Sequence, residues 1–190
     1  GDVVVGPGQW HLATVVDASL QVLDQLDHSV SRRGAYVAYL GAGEHPVRMR
    51  ILGPEALGPG REGSVRLFLP QSLPLLPGDR FVLRESGRSE TVGGGCVLDV
   101  DPRERASRAR PDRSVDRVVR ERGWVSSDEL ERLTGERREP DVGQWVVDPE
   151  ALQTTLAGLR EALDESGPLG VELSSLDDYQ RAAAVLLDEA

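Results

Sequence analysis

Between Leu76 and Asp99 the sequence reads LPGDRFVLRESGRSETVGGGCVLD, a string that restricts the fold more than any other part of the chain. Pro77-Gly78-Asp79 is a turn signal, and Arg80 to Glu85 then alternates with Phe81 and Leu83 on one face. Ser86-Gly87-Arg88-Ser89 is loop chemistry. Gly93-Gly94-Gly95 lets the backbone bend, or approach another chain closely, before Cys96-Val97-Leu98 resumes the strand. A strand–turn–strand unit follows.

The preceding residues repeat this pattern. Trp10 to Leu23 alternates apolar and polar residues, Asp24 to Ser31 reads as a loop carrying His28, and Ala35 to Leu40 reads as a strand. Gly41 to Pro46 reads as a turn. Val47, Met49 and Ile51 then oppose Arg48 and Arg50, giving one buried and one cationic face. Gly53 to Gly63 is a Gly/Pro-rich surface loop, and Ser64 to Leu69 sets Val65, Leu67 and Leu69 against Arg66 and Phe68. Short strands at intervals of about ten residues, divided by turn signals, specify an all-β barrel over residues 10–100. Ahead of it, Val3-Val4-Val5 reads as a strand closed by Gly6-Pro7-Gly8.

The pattern changes at Asp101-Pro102. Residues 101–112 are Arg-rich and poor in large apolar residues, as expected of a linker or exposed basic arm. Val115, Val118 and Val119 make one face of a helix stopped by Gly123, and Trp124-Val125 is a brief extended step. Ser126 and Glu129 form a capping box before Leu130 and Leu133, Gly135 closes that helix, and Gln144 to Val147 is a strand. Helix, strand, helix, strand over 113–149 is the skeleton of a winged-helix module. Its recognition helix has only Glu136 to Gly143 to occupy, a stretch holding Pro140. From 150 to 190 a second module begins. Leu152, Leu156, Leu159 and Leu163 line one helix face, Gly167 to Val171 breaks it, and Ser174 or Ser175 caps a helix with Leu176, Tyr179, Ala183, Leu186 and Leu187 inward.

Composition narrows the function. The formal charge of −10 argues against a general nucleic-acid coat protein, but it is unevenly spread. Residues 1–100 hold 9 Arg against 11 Asp/Glu, residues 103–122 hold 8 against 4, and residues 161–190 hold 1 against 8. Every basic side chain is Arg; there is no Lys. The single Cys96 excludes an internal disulfide and a Cys-rich zinc site, and fits a reducing cytoplasm. No apolar run approaches the roughly 18 residues of a membrane span. There is no G-x-x-x-x-G-K-[ST] loop, and His11, His28 and His45 share no metal-ligand spacing. The chain is expected to be no enzyme by itself, with no cofactor or metal of its own, and binding is the role left.

PGDRFVLRES followed by TVGGGCVLD resembles the last hairpin of domain III in translational GTPases of the elongation factor Tu class, and FVLR…TVGGG…VLD is most similar to the selenocysteine-specific elongation factor family. The resemblance implies a domain III-like β-barrel followed by winged-helix α/β modules, with residues 1–9 handing over from a preceding barrel. It implies a factor that delivers selenocysteyl-tRNA to the ribosome at recoded UGA codons. GTP and magnesium would belong to an N-terminal domain outside this chain, and the selenoprotein mRNA hairpin to later C-terminal modules, with the helical half here a spacer. Glu85 carries over as a tRNA-contacting residue from the LRES match. Arg88 and Thr91 follow it across an insertion, and Tyr39, Glu44, His45 and Arg48 follow from the LGAGEHPVR segment. Loops Gly41–Arg48 and Glu85–Thr91 are expected on one barrel edge, where a carboxylate can accept from a ribose 2′-hydroxyl. Two other readings compete: a winged-helix regulator with a barrel sensor domain, and a small hydrolase or transferase.

Overall fold

The computed structural model describes residues 5–6, 8–167 and 170–188. The expected strand at Val3-Val4-Val5 falls mostly outside these residues. The chain divides into two compact units, residues 1–113 with 132–135, and residues 114–131 with 136–190.

In the first unit the strands are β1 (Leu12–Val22), β2 (Val30–Ser31), β3 (Tyr36–Leu40), β4 (Gly43–Leu52), β5 (Ala56–Leu57), β6 (Glu62–Pro74), β7 (Arg80–Glu85) and β8 (Glu90–Asp99). Six of them close an antiparallel barrel in the order β1-β6-β4-β3-β7-β8, and β2 pairs separately with β5. Alternation decides which side chains enter. Val16, Ala18 and Leu20, Ala38, Val65 and Leu67, Leu83, and Val92 and Val97 are buried to 0 % exposure or within 1 % of it. Tyr36 and Phe81 are the buried aromatics among them, so Val and Leu fill the core, as a chain with 4 % aromatics requires.

The three glycines of β8 serve close approach rather than bending. A Cβ at Gly93 would stand 2.3 Å from the Gln21 carbonyl oxygen, at Gly94 2.7 Å from that of Phe81, and at Gly95 1.9 Å from that of Ser19. The contacted atoms are backbone of β1 on one side and β7 on the other, so β8 is pressed between both neighbours.

The turn expected over Gly41–Pro46 is shorter. Gly41-Ala42 alone makes it, with Gly41 at φ 58, and Glu44, His45 and Pro46 already belong to β4. Pro46 is tolerated because it pairs with Val37 of β3, leaving its nitrogen facing β6. The β4–β6 ladder stops at Arg48↔Phe68. Continued, it would set Pro46 against Pro70, and neither has an N–H to donate.

The Arg-rich segment after the barrel is not a free arm. Arg66 Nη2 donates to the Glu104 carbonyl at 2.9 Å, the amides of Arg108 and Ala109 donate to the Arg105 carbonyl, and Ala109 is 4 % exposed.

The second unit begins with α1 (Val115–Arg122), whose Ser114 hydroxyl caps the Arg117 amide, followed by β9 (Trp124–Ser126) and α2 (Ser127–Thr134), of which residues 132–134 are grouped with the first unit. Ser126 Oγ accepts from the Glu129 amide at 3.2 Å, the expected cap. Residues 136–143 contain no helix, so the short recognition helix is absent. Pro140 interrupts the run, and Asp141 and Val142 instead donate to the Trp145 carbonyl in a tight return into β10 (Trp145–Val147), which pairs with β9. Asp148 caps α3 (Pro149–Ser166). Helix α4 (Asp178–Asp188) follows a short 3-10 turn, Leu173–Ser175. Ser174 and Ser175 do not cap α4. The Asp177 amide donates to Gln180 Oε1 at its start, while Ser175 Oγ donates back to the Glu172 carbonyl.

Leu156, Leu159 and Ala183 centre a core that also takes Trp124, Leu152, Leu176, Leu186 and Leu187. Tyr179 packs on Trp124 with ring centroids 5.4 Å apart, and Trp124 donates to Thr155 Oγ1 at 3.1 Å. Residues on both sides of position 150 therefore share one core. Leu163, expected inward, is 43 % exposed.

Candidate nucleic-acid interface

Register places the residues expected at one edge on two ends of the barrel. Tyr36 pairs with Glu85 and Leu40 with Phe81, so the Gly41-Ala42 turn and the 86–89 turn lie at opposite ends. They are separated by the length of β7, on the order of 15 Å at the rise of a strand. Tyr39 and Glu44 face each other on the outer surface at the first end. His45 points inward there. It is 8 % exposed and lines a cavity of about 660 Å³ with Trp10, Leu40, Leu73 and Arg80. Glu44 and His45 are thus removed from Glu85, Arg88 and Thr91.

At the other end, Glu85 shares the inward face of β7 with Phe81 and Leu83, and only its position beside the barrel mouth leaves it reachable. Its side chain is 17 % exposed, and Oε2 accepts from His28 Nε2 at 2.9 Å. The other ring nitrogen, Nδ1, lies 2.9 Å from Asp27 Oδ1. Arg88 completes the group, 3.7 Å from Glu85 and 3.7 Å from Asp27. The hydrogen bond to Asp27, joined by that to Glu85 and opposed by burial, raises the His28 pKa above its ordinary value. Asp27 is correspondingly lowered, first by the His28 hydrogen bond and then by the Arg88 charge. Burial raises the Tyr36 phenol, whose hydroxyl donates to the Ser31 carbonyl at 2.8 Å. Thr91 sits half-buried opposite Arg84, at the register shift between β7 and β8.

Arg48 lies at this same end, on the outer face of β4, one residue beyond Val47, which pairs with the Tyr36 that faces Glu85. Its guanidinium stands 5.3 Å from the Phe68 ring centroid, within cation–π range. The two line a groove of about 660 Å³ together with Arg32, Arg50, Tyr36 and Ser86. Arg32, Arg48 and Arg50 are exposed, and among the described residues none of them makes an ion pair. Three free guanidinium groups, an aromatic face and the hydroxyl of Ser86 suit a phosphate backbone with an unstacked base or ribose beside it.

Arg48, Glu85, Arg88 and Thr91 therefore occupy the half of the barrel that carries this groove, while Tyr39, Glu44 and His45 do not. Sequence reasoning had assigned no role to Asp27, His28, Arg32, Arg50 or Phe68. The alternation that opposes Arg48 and Arg50 to a buried face was the available signal for the arginines. Among the described residues, no group of three or more His, Cys, Asp or Glu could hold a metal ion, and no helix is long and apolar enough to cross a membrane. Cys96 lies half-buried in β8, 3.4 Å from Ser19 Oγ.

The comparisons with known proteins agree with this barrel. The family model described as the selenocysteine-specific elongation factor, beta-barrel domain, matches residues 12–104. No curated protein matches the chain. Among solved structures, the crystal structure of a bacterial selenocysteine-specific elongation factor, EF-Sec, matches 96 % of this chain with a TM-score of 0.64 at 15 % identity. At that identity the likeness is one of fold. The present chain spans 32 % of that chain's length. Residues 12–104 are a β-barrel domain of the selenocysteine-specific elongation factor family.

Proposed function

We propose that this chain is the part of a selenocysteine-specific elongation factor that holds the backbone of aminoacyl-tRNA, with the groove around Arg48 and the Glu85 end of the barrel as the contact surface. The observation that carries the reading is the convergence of Arg32, Arg48 and Arg50 on one groove in a chain of formal charge −10. Arg137 is held by Asp128 and Glu131, whereas among the described residues none of these three makes an ion pair, and they line a single groove. The tRNA is selenocysteyl-tRNA, delivered to the ribosome at recoded UGA codons. GTP and its magnesium ion belong to a GTPase domain of the longer factor, since no phosphate-binding loop occurs in these 190 residues. The second unit serves as a winged-helix-derived spacer toward modules that grip the selenoprotein mRNA hairpin. Its missing recognition helix and the acidic stretch 161–190 both support a spacer.

Fluorescence anisotropy with a tRNA acceptor–T-arm minihelix tests the contact surface. Wild type should bind weakly, and Arg48→Ala with Arg50→Ala should lower affinity by roughly tenfold while reducing the salt slope by about two. Unchanged affinity in that double variant rejects the groove.

A further inference from the structure

His28 stands between two carboxylates. Its Nδ1 lies 2.9 Å from Asp27 and its Nε2 lies 2.9 Å from Glu85. An ionised carboxylate only accepts, and a neutral imidazole has one N–H. Both contacts can be hydrogen bonds only when both ring nitrogens carry protons. With both carboxylates ionised, this geometry is satisfied by an imidazolium, and Arg88 adds a second positive charge against the two acids.

The cluster joins segments far apart in sequence. Leu26 and Val30, at 6 % and 0 % exposure, anchor the segment after β1 on either side of His28. Glu85 is the last residue of β7, and the turn behind it is held by the Ser86 amide on the Ala35 carbonyl and by Arg84 on the Ser89 carbonyl. Ser86 also lines the arginine groove. The ionisable groups arranged about His28 are Asp27 on its own segment, Glu85 on β7 and Arg88 on the turn. Tyr36 on β3 and Glu90 on β8 sit opposite Glu85 in register.

We infer that His28, protonated on both nitrogens, is a positioning residue of the RNA-facing edge, clamping Glu85 and the 86–89 turn to the segment after β1. The role in RNA binding rests on the function proposed above; the clamp itself does not. With Oε2 taken by His28, Glu85 keeps Oε1, which makes no hydrogen bond among the described residues, as the acceptor for a ribose hydroxyl. Loss of one proton turns one of the two contacts into a lone pair facing a carboxylate. The turn is then released, and the acceptor is no longer held in place. RNA affinity should therefore fall as pH rises through the titration of His28, whose pKa stands above its ordinary value of 6.5.

Two measurements on the whole chain decide this. Imidazole ¹H–¹⁵N correlation spectra, assigned with His28→Gln, should show both His28 nitrogens protonated near pH ~6 and a titration above the ordinary value that falls in Glu85→Gln. One protonated nitrogen at that pH, or an ordinary titration, overturns the clamp. Anisotropy with the minihelix should show wild-type affinity declining above that titration, and His28→Gln about three- to tenfold weaker with a flat pH profile. A His28→Gln chain that binds as tightly as wild type, with the same pH profile, overturns the positioning role. If wild type binds no RNA at any pH, the proposed function fails instead, and amide exchange decides the clamp. Faster exchange at Ser86–Ser89 in His28→Gln supports it, and unchanged exchange overturns it.

Discussion

Arg66 and Asp17 face each other in register across β6 and β1 and form a two-pronged pair, Nε to Oδ1 at 2.6 Å and Nη2 to Oδ2 at 2.8 Å. Asp17 is 2 % exposed, so a charge-assisted fork of this kind offsets much of the cost of burying its carboxylate. Arg66→Ala should lower barrel stability by about 3–5 kcal/mol by removing the opposite charge from a buried carboxylate, whereas Arg66→Ala with Asp17→Ala should recover part of that loss. Urea denaturation of the three proteins checks it. An Arg66→Ala loss under about 1 kcal/mol would mean that the pair is a solvated surface contact.

Gly95 and Gly87 differ in what surrounds them, and alanine substitution should separate them sharply. A Cβ at position 95 meets the Ser19 carbonyl at 1.9 Å, and both atoms belong to paired strands that cannot part without breaking the barrel. Gly95→Ala should cost at least about 3 kcal/mol or prevent folding. Nothing lies within 4 Å at position 87, so Gly87→Ala should stay within about 0.5 kcal/mol of wild type. Equal melting temperatures for the two variants would contradict the close packing of β8.

The pH dependence of barrel stability follows from the same cluster that holds Glu85. His28 is raised in the folded chain, so its contribution is complete below the ordinary imidazole value of 6.5 and is lost as pH rises through the folded value. Asp27 is lowered, so its contribution is complete above its ordinary 3.8 and is lost as pH falls through the depressed folded value. Melting temperature should therefore decline on the alkaline side of the His28 titration in wild type and not in His28→Gln, after both are referenced to a common neutral pH. Parallel profiles for the two proteins would show that His28 is unlinked to folding.

The barrel was legible because its strands alternate and its turns carry Gly, Pro and Asp; Phe81, Leu83, Val65 and Leu67 enter the core as their spacing implies. Pro46 misled in one respect. Proline beside two glycines reads as a turn, yet β4 accommodates it because its missing N–H falls on the side where no ladder forms. Gly143 and Pro140 did signal that a recognition helix had no room, and the structure has none there. Ser174 and Ser175 were attractive caps, but the helix starts at Asp178, with the Asp177 amide held by Gln180 Oε1.

The candidate site was less legible. Arg48 and Glu85 were named as candidates from the resembled motif, but the partners of Glu85 were not. His28 is separated from it by 57 residues, and their meeting depends on the Tyr36↔Glu85 register rather than on any local pattern. The same register separates Glu44 and His45 from the Glu85 end, a distance that glycine-rich composition alone could not show.

The central claim is that RNA backbone docks on the groove around Arg48 and the Glu85 end of the barrel. Its most direct test is amide chemical-shift mapping of the ¹⁵N-labelled chain with the acceptor–T-arm minihelix. Saturable shifts are expected at Arg32, Ala35, Arg48, Phe68 and Ser86, and none at Gly41, Glu44 or His45 at the opposite end. Shifts confined to that opposite end, or to residues 114–188, would contradict it.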